Sequence, residues 1–206
     1  MSAFLETGSQ EEEWQPDKYQ IPLLGYHQIE NAATAFAALQ VFSDRALPIE
    51  AQAYHSGFQK VSWPGRFQLL QRAPAVVVDS AHNRDSALKL RLALDDYFPD
   101  QPVVMIFGAS ADKDVQGMYA ELLPRVERLI TTASYHPRAA EPEKLAEQAH
   151  EFGMATLVTN SLEEALPAAL ASADEHTVIL VTGSIFVAAG AIQVWKTRLM
   201  DITEQK

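Results

Sequence analysis

The sequence has no cysteine among its 206 residues, which excludes disulfide bonds and thiolate metal sites. No apolar run approaches the ~20 residues that a membrane-spanning helix needs, and the polar, acidic beginning is unlike a signal peptide. We therefore expect a cytoplasmic protein without membrane contact. Cations are also scarce, since 16 Lys and Arg face 27 Asp and Glu for a formal net charge of −11. This balance argues against nucleic-acid binding, which needs a basic face, so any polyanionic ligand requires a local group of cations.

The composition and length fit one globular domain with an additional segment. Apolar residues make up 48% of the chain and charged residues 21%, which is typical of folded proteins. Residues 1–20 are polar, acidic and interrupted by proline, which predicts a poorly ordered leader or an exposed remnant. Residues 28–42 are rich in alanine with helical periodicity, and Leu47-Pro48-Ile49 opens a second predicted helix that ends near Lys60.

After residue 60 short β-rich runs alternate with helical patterns. This alternation predicts an α/β fold, a Rossmann-like, mostly parallel six-stranded sheet with helices on both faces. The first two runs are separated by only a few residues around Pro74, so we expect them to form a hairpin with one antiparallel edge. The predicted strands lie at about 67–71, 76–79, 103–107, 128–131, 155–159 and 177–182, and the predicted helices at about 85–97, 114–123, 141–151, 161–171 and 184–200.

Small and polar residues follow the predicted strands at their carboxyl ends, where ligands bind in sheets of this kind. Four such segments follow apolar strands, at residues 79–83, 108–113, 131–134 and 182–184. For Thr131 and Ser134 we favour the ordinary interpretation that such residues make turns and helix caps.

Several of these side chains could bind an anion or move a proton. Arg66 follows a Pro-Gly turn and suits phosphate, whereas Asp79 could accept hydrogen bonds from a ribose or simply close a turn. His82 could contact a phosphate or assist proton transfer, or be an ordinary loop residue. Lys113, between Asp112 and Asp114, could reach an anionic ligand, although such a run is also a common solvated helix start.

Other chemistries find no support in the motifs. The strand-helix units contain no G-x-G-x-x-G, which argues against a dinucleotide enzyme. No nucleophile accompanies His82, which argues against a hydrolytic triad, and the histidines show no metal-ligand spacing. We therefore predict no metal site within this chain.

Taken together, the motifs resemble the C-terminal portion of the folylpolyglutamate synthase/dihydrofolate synthase family, within the wider Mur ligase group. The order and spacing match over roughly residues 21–195. The resembling stretches are Leu24-Gly25-Tyr26-His27-Gln28 with Asn31-Ala32-Ala33, Trp63-Pro64-Gly65-Arg66, Asp79-Ser80-Ala81-His82-Asn83, Phe107-Gly108 with Asp112-Lys113-Asp114, and Val181-Thr182-Gly183-Ser184.

The resemblance implies an ATP-dependent amide ligase that adds L-glutamate to folate or dihydropteroate. ATP phosphorylates a substrate carboxylate, and the amino group of glutamate attacks the acyl phosphate. By the same resemblance Asn31 corresponds to an adenine contact, Arg66 to a phosphate contact and Asp79 to a ribose contact. His82 corresponds to a catalytic residue near the γ-phosphate. The incoming amino acid is assigned to Asn83, Asp112, Ser184 and Lys113, the last also as a catalytic residue.

The sequence departs from the family pattern in three ways. Ser80 stands where glycine is frequent and Arg84 where proline is frequent. The 206 residues contain no G-x-x-x-x-G-K-[ST] loop, which the family carries, with its Mg²⁺ ligands, in an N-terminal ATPase domain. We therefore expect residues 1–60 to be the tail of that domain, a short helical remnant, and residues 61–206 to be the C-terminal domain.

This interpretation makes the chain half of an active site, which we expect to be inactive alone. The full-length protein is expected to be a monomer that binds ATP with Mg²⁺. Two alternatives remain open at this point. One is another Mur-type ligase that acts on a muramyl peptide, and the other is a non-catalytic module that binds a nucleotide or docks onto a separate ATPase subunit.

Overall fold

The computed structural model describes residues 18–199, so most of the predicted leader lies outside the described residues. The chain divides between Trp63 and Pro64 into two compact units. None of the described helices is long and apolar enough to cross a bilayer.

The first unit contains two helices around an aromatic core. Helix α1 spans Tyr26–Arg45 and α2 spans Ala51–Lys60, so α2 begins later than Leu47-Pro48 suggested. The ring of Tyr19 lies 5.0 Å from that of Phe36 on α1 and stacks at 4.4 Å on His55 of α2. These ring contacts hold the two helices together.

The second unit is an α/β domain whose element order agrees closely with the prediction. Its strands are almost continuous apolar runs, as expected for a parallel sheet buried on both faces. The strands are β1 (Gln68–Arg72), β2 (Ala75–Val78), β3 (Val103–Phe107), β4 (Arg128–Thr131), β5 (Thr156–Val158) and β6 (Val178–Thr182), and the helices are α3 (Arg84–Tyr97), α4 (Val115–Leu122), α5 (Pro142–His150), α6 (Leu162–Ala171) and α7 (Ile185–Val194).

The final helix is shorter than predicted. Helix α7 ends at Val194, and a π-helical segment occupies Trp195–Leu199. Trp195 remains 4% exposed and joins the core beneath α7. Burial of this ring therefore continues across the change in helical geometry.

The six strands form one sheet in the order β1-β2-β6-β3-β4-β5. β1 pairs antiparallel with β2, which confirms the predicted hairpin, and the remaining pairs are parallel. Alternate strand residues point to two separate cores, because successive side chains on a strand face opposite sides. One core contains residues of α3, α4 and α5, and the other contains residues of α6 and α7.

This topology creates crevices on both sides of β6. The helix that follows β6 packs on one face, whereas the helices that follow its neighbours β2 and β3 pack on the other. The chain therefore leaves adjacent strands in opposite directions, which opens the sheet at the carboxyl ends of these three strands.

Candidate functional site

The hairpin brings Arg66 and Asp79 to the same edge of the sheet. Gln68 pairs with Val78 at the carboxyl end of β2, so the residues before β1 lie beside those after β2. The carbonyl of Gly65 accepts a 2.8 Å hydrogen bond from the amide of Ser80, which closes this end of the hairpin. Gly65 has φ +74°, a conformation that favours glycine.

Asp79 anchors this edge through backbone hydrogen bonds. Its Oδ2 accepts from the amide of Phe67 and its Oδ1 from the amide of Ala81, both at 2.8 Å. The residue is 8% exposed, and its own amide donates to Val181 of β6 at 2.9 Å. Both carboxylate oxygens therefore already accept from the backbone. Asp79 thus has the structural role that the sequence offered as the alternative to a ribose contact.

Phe67 shows how firmly this edge is held. Its φ of +42° is unusual for a bulky residue. The ring is buried and lies 5.7 Å from Tyr97 and 6.2 Å from Phe98, while the amide bonds to Asp79. These contacts stabilise the conformation and give the neighbouring Arg66, which is half-buried, a defined backbone position.

His82 and Asn83 form the entry to α3. The Oδ1 atom of Asn83 accepts from the amide of Ser86 at 2.8 Å, and the Ser86 hydroxyl receives the Asn83 amide at 3.1 Å, completing a capping box. Nδ1 of His82 lies 3.1 Å from the carbonyl oxygen of Ser80. Because a carbonyl only accepts, this contact puts a hydrogen on Nδ1 and leaves Nε2 of a neutral ring as an acceptor.

The loop after β3 carries the predicted lysine. Lys113 and Asp112 are both exposed, and their charged groups lie 3.7 Å apart. Asp114, by contrast, caps α4 by accepting from the amide of Gly117 at 2.9 Å. Only one of the two flanking carboxylates is therefore paired with the lysine.

Ser184 is buried where α7 begins. It is 5% exposed, and its hydroxyl oxygen accepts from the amide of Phe186 at 3.2 Å, which leaves the hydroxyl hydrogen available to a further acceptor. The preceding Gly183 has φ +109°, and a Cβ there would lie 2.5 Å from the carbonyl oxygen of Gly108. This close approach brings the loop after β6 against the loop after β3.

A further loop at this edge follows β4, of which only the first residues, 131–134, had been identified from the sequence. Residues 133–140 lie along the loop after β3, where Ala140 donates to the carbonyl of Ala109 and Ala111 donates to that of Arg138, both at 2.9 Å. His136 stacks on Phe186 with ring centroids 3.9 Å apart. In the sequence, the only features that could have indicated this loop as part of the site are His136 and Arg138, which follow a predicted strand. The histidines show no metal-ligand spacing, so His136 was not predicted as a site residue.

The second unit thus brings Arg66, Asp79, His82, Asn83 and Ser184 to the carboxyl edge of β2 and β6, and Asp112 and Lys113 to that of the neighbouring β3. Three helices, α3, α4 and α7, also begin at this edge, and the free amides of helix N-termini favour anions. Tightly held backbone and polar side chains therefore lie together at this edge of the sheet.

Asn31 belongs to the first unit. It is exposed on α1, and its Nδ2 donates to Oε1 of Gln28 at 3.2 Å. Gln28 is buried, and its Nε2 lies 3.0 Å from Nε2 of His27. These contacts join the residues of the predicted motif into one polar chain within this unit.

Within residues 18–199 no group of three or more His, Cys, Asp or Glu side chains could hold a metal ion. The edge offers cations and hydrogen-bond donors rather than clustered carboxylates. No chemical step of this chain is therefore assigned to a metal that its own residues would bind.

Comparison with known proteins gives a family match. Residues 65–185 match the model of the Mur ligase, glutamate ligase domain. A probable bifunctional folylpolyglutamate synthase/dihydropteroate synthase of Haloferax volcanii is 35% identical over 187 residues, covering 90% of this chain and 22% of that protein.

Two solved structures have a similar fold. A Mycobacterium tuberculosis folylpolyglutamate synthase complexed with ADP superimposes with a TM-score of 0.79 at 32% identity, covering 88% of this chain and 42% of that one. A bifunctional folylpolyglutamate synthase/dihydrofolate synthase with Mn, AMPPNP and L-glutamate bound gives a TM-score of 0.74 at 30% identity, covering 92% and 44%. The chain therefore spans less than half the length of these relatives.

Proposed function

Because this chain belongs to the Mur ligase, glutamate ligase domain family, we propose that it supplies one side of the active site of an ATP-dependent ligase that adds L-glutamate to folate or dihydropteroate. The observation that carries the proposal is the gathering of polar residues at the carboxyl edge of β2, β6 and β3, in a chain whose relatives are named for this activity. The rest of the site, including the phosphate loop and the Mg²⁺ ligands, is assigned to an ATPase domain.

The proposed reaction has two steps. An oxygen of the folate carboxylate attacks the γ-phosphorus of ATP, so that ADP leaves and an acyl phosphate forms. The amino nitrogen of glutamate then attacks the acyl carbon, which forms the amide, releases phosphate and frees one proton. Both steps depend on positioning and charge neutralisation, because the folate carboxylate, the phosphates of ATP and the carboxylates of glutamate must approach one another in an acidic protein.

The residues of the edge suit these requirements. In the proposal Arg66 contacts the phosphates and Asp79 accepts from the ribose. Nε2 of His82 accepts the proton of the attacking amine and, once charged, attracts the departing phosphate. Asn31 of the first unit is assigned to the adenine.

The incoming glutamate is assigned to the loops after β3 and β6. Lys113 would pair with a glutamate carboxylate, Ser184 would donate its hydroxyl hydrogen to the same group, and Asn83 retains its amide hydrogens for a further contact. Asp112 would keep Lys113 extended and could receive the ammonium group. Arg138, whose carbonyl accepts from Ala111 in the loop after β3, would supply a second cation at this edge.

A chimera tests the proposal directly. Residues 64–206 replace the matching portion of the Mycobacterium tuberculosis enzyme, and ADP release is measured with ATP, Mg²⁺, dihydropteroate or a reduced folate, and L-glutamate. We expect glutamate-dependent turnover from the chimera and none from the 206-residue chain alone, which contains no phosphate loop. Robust turnover by the chain alone would contradict the proposed division of the site.

Arginine variants provide a matched control within one strand region. Arg66 and Arg72 flank opposite ends of β1, so only Arg66 lies at the proposed edge. Replacing Arg66 with Ala should lower kcat/KM of the chimera by about 10²-fold, as expected for losing a charge-assisted phosphate contact, whereas Arg72→Ala should change it less than about threefold. Equal effects of the two variants would remove Arg66 from the site.

The same chimera separates the remaining alternatives. Ligation of a nucleotide-linked muramyl substrate instead of folate would assign the chain to that branch of the family. Nucleotide binding without any ligation, accompanied by a stable complex with a separate ATPase subunit in light scattering, would favour a docking module.

A further inference from the structure

A polar cleft lies between the start of α6 and the second half of α7, and residues 133–135 of the loop after β4 also line it. Its volume is about 360 Å³, within the range of small-molecule sites. It is lined by the loop after β4, by residues 160–163 and by α7 with the segment that follows it. None of the residues assigned to ligase chemistry in the proposed function lines this cleft.

The cleft contains two opposite charges that do not neutralise each other. Arg198 and Glu163 both line it, yet no ion pair joins them, and neither has a charged partner among residues 18–199. Elsewhere the described arginines near a carboxylate do form ion pairs, such as Arg84 with Glu121 at 3.0 Å. A cation and an anion that line one cleft without forming an ion pair fit a ligand that carries both charges.

The remaining lining offers hydrogen bonds at moderate polarity. In the described part of the chain, the Tyr135 hydroxyl and the side-chain amides of Asn160 and Gln193 have no intramolecular hydrogen bond. Ser161 precedes α6 without a side-chain cap bond, which adds free donors at the same end of the cleft. These groups would satisfy the polar atoms of a small ligand.

The floor of the cleft is shaped by Gly190 of α7. A Cβ at this position would lie 2.7 Å from Cδ1 of Leu162 and 3.4 Å from Cε1 of Tyr135. The absent side chain thus allows the tyrosine ring to lie over α7 even though Tyr135 is 72% exposed. The aromatic wall is held by packing against this helix.

We propose that this cleft binds a free α-amino acid, with its carboxylate at Arg198 and the start of α6 and its ammonium group at Glu163. A nucleotide fits less well, since several phosphate charges would meet one arginine and one carboxylate. The proposal is independent of the ligase reaction, because a second amino-acid site follows from the cleft alone. Tyr135 is next to His136, which stacks on Phe186, so a ligand in the cleft would contact the same loop, residues 133–140.

The test is NMR titration of the ¹⁵N-labelled 206-residue chain with L-glutamine, without ATP. We expect shifts of the amides of Tyr135, Gly190 and Gln193, and about tenfold weaker binding of N-acetyl-L-glutamine and of L-glutamine amide, which each lack one charge. Arg198→Gln and Glu163→Gln should each weaken L-glutamine binding about tenfold. Lys196 and Glu175 are exposed and do not line the cleft, so Lys196→Gln and Glu175→Gln should leave L-glutamine binding unchanged.

The outcomes separate this proposal from the proposed function. Shifts that are abolished by Lys113→Gln but unaffected by Arg198→Gln would locate amino-acid binding at the ligase edge and overturn the cleft assignment. Absence of shifts in the cleft at millimolar ligand would also overturn it, as would binding of either singly charged analogue as tight as that of L-glutamine. Loss of ligase activity in the chimera with intact cleft shifts would refute only the ligase proposal.

Discussion

Replacement of Asp79 tests whether this residue is primarily an anchor of the sheet edge. In Asp79→Ala the buried amides of Phe67 and Ala81 lose their acceptors, each now bonded at 2.8 Å. A hydrogen bond to a charged group contributes about 1.5–3 kcal/mol, so the loss of two should cost about 3–6 kcal/mol. Asp79→Asn keeps one acceptor and turns an NH₂ group toward the other amide, and should cost about 2–3 kcal/mol.

The assay is urea denaturation followed by far-UV circular dichroism and by the fluorescence of buried Trp195 in the same unit. Asp96→Asn is the matched control, because Asp96 is exposed on α3 and has no hydrogen bond or ion pair among the described residues. Its free energy of unfolding should change by less than about 0.5 kcal/mol. If Asp79→Ala costs less than about 1 kcal/mol, or if both Asn variants behave alike, the anchoring interpretation is wrong.

This measurement also decides how ligand data at Asp79 are interpreted. A variant that loosens the hairpin moves the neighbouring Arg66 as well, since the Phe67 amide is bonded to Asp79. Weaker nucleotide binding by Asp79→Asn would then follow without any ribose contact. The ribose contact is therefore tested in Asp79→Asn after its stability has been restored by added osmolyte. The contact is supported only if this variant binds the ribonucleotide as weakly as it binds the deoxy nucleotide.

Three further predictions concern the second unit and its neighbour. Gly183 has φ +109°, and a Cβ there would lie 2.5 Å from the carbonyl oxygen of Gly108, so Gly183→Ala should destabilise the chain by about 3 kcal/mol or more in urea denaturation. Gly57 lies in open space on α2, so Gly57→Ala should stabilise the chain by about 0.5–1 kcal/mol. Burial raises the pKa of Tyr119 above that of an unfolded tyrosine, which is about 10. The contribution of the neutral side chain to stability is therefore complete below the unfolded pKa and is lost as the pH rises above it. Absorbance titration should show this tyrosine ionising last, and ionisation together with the other tyrosines would contradict the burial. The hydrogen bond from Thr177 lowers the pKa of Asp174, so Thr177→Val should raise that pKa in an NMR titration, and an unchanged pKa would exclude this cause.

The order and type of the elements were predictable because their signals are local. The runs Val103–Phe107 and Val178–Thr182 are apolar throughout, and such short runs bounded by turn residues predict buried strands. The hairpin between β1 and β2 was also predictable, because only a short connection around Pro74 separates its strands. The element boundaries differ mainly at the start of α2 and at the end of α7, where a π-helical segment begins with the buried Trp195.

Parts of the site could not be predicted from the sequence. Sequence order indicated that Asp79, Lys113 and Ser184 follow strands, and the carboxyl-end rule then predicted a shared edge. The contact between the loops at residues 108 and 183, the bonding of Asp79 to Phe67, and the loop at 133–140 involve partners between 12 and 75 positions apart in the chain. No local pattern specifies such pairs.

The amino-acid sequence by itself determined the strands, the helices, the hairpin and the polar residues that end each strand, because alternation, caps and turns act over a few neighbouring residues. Only the tertiary structure decided that β6 inserts between β2 and β3, that both oxygens of Asp79 accept from the backbone, and that Arg198 and Glu163 line one cleft without pairing. These outcomes depend on packing between distant segments, where geometry selects which of many chemically acceptable partners meet.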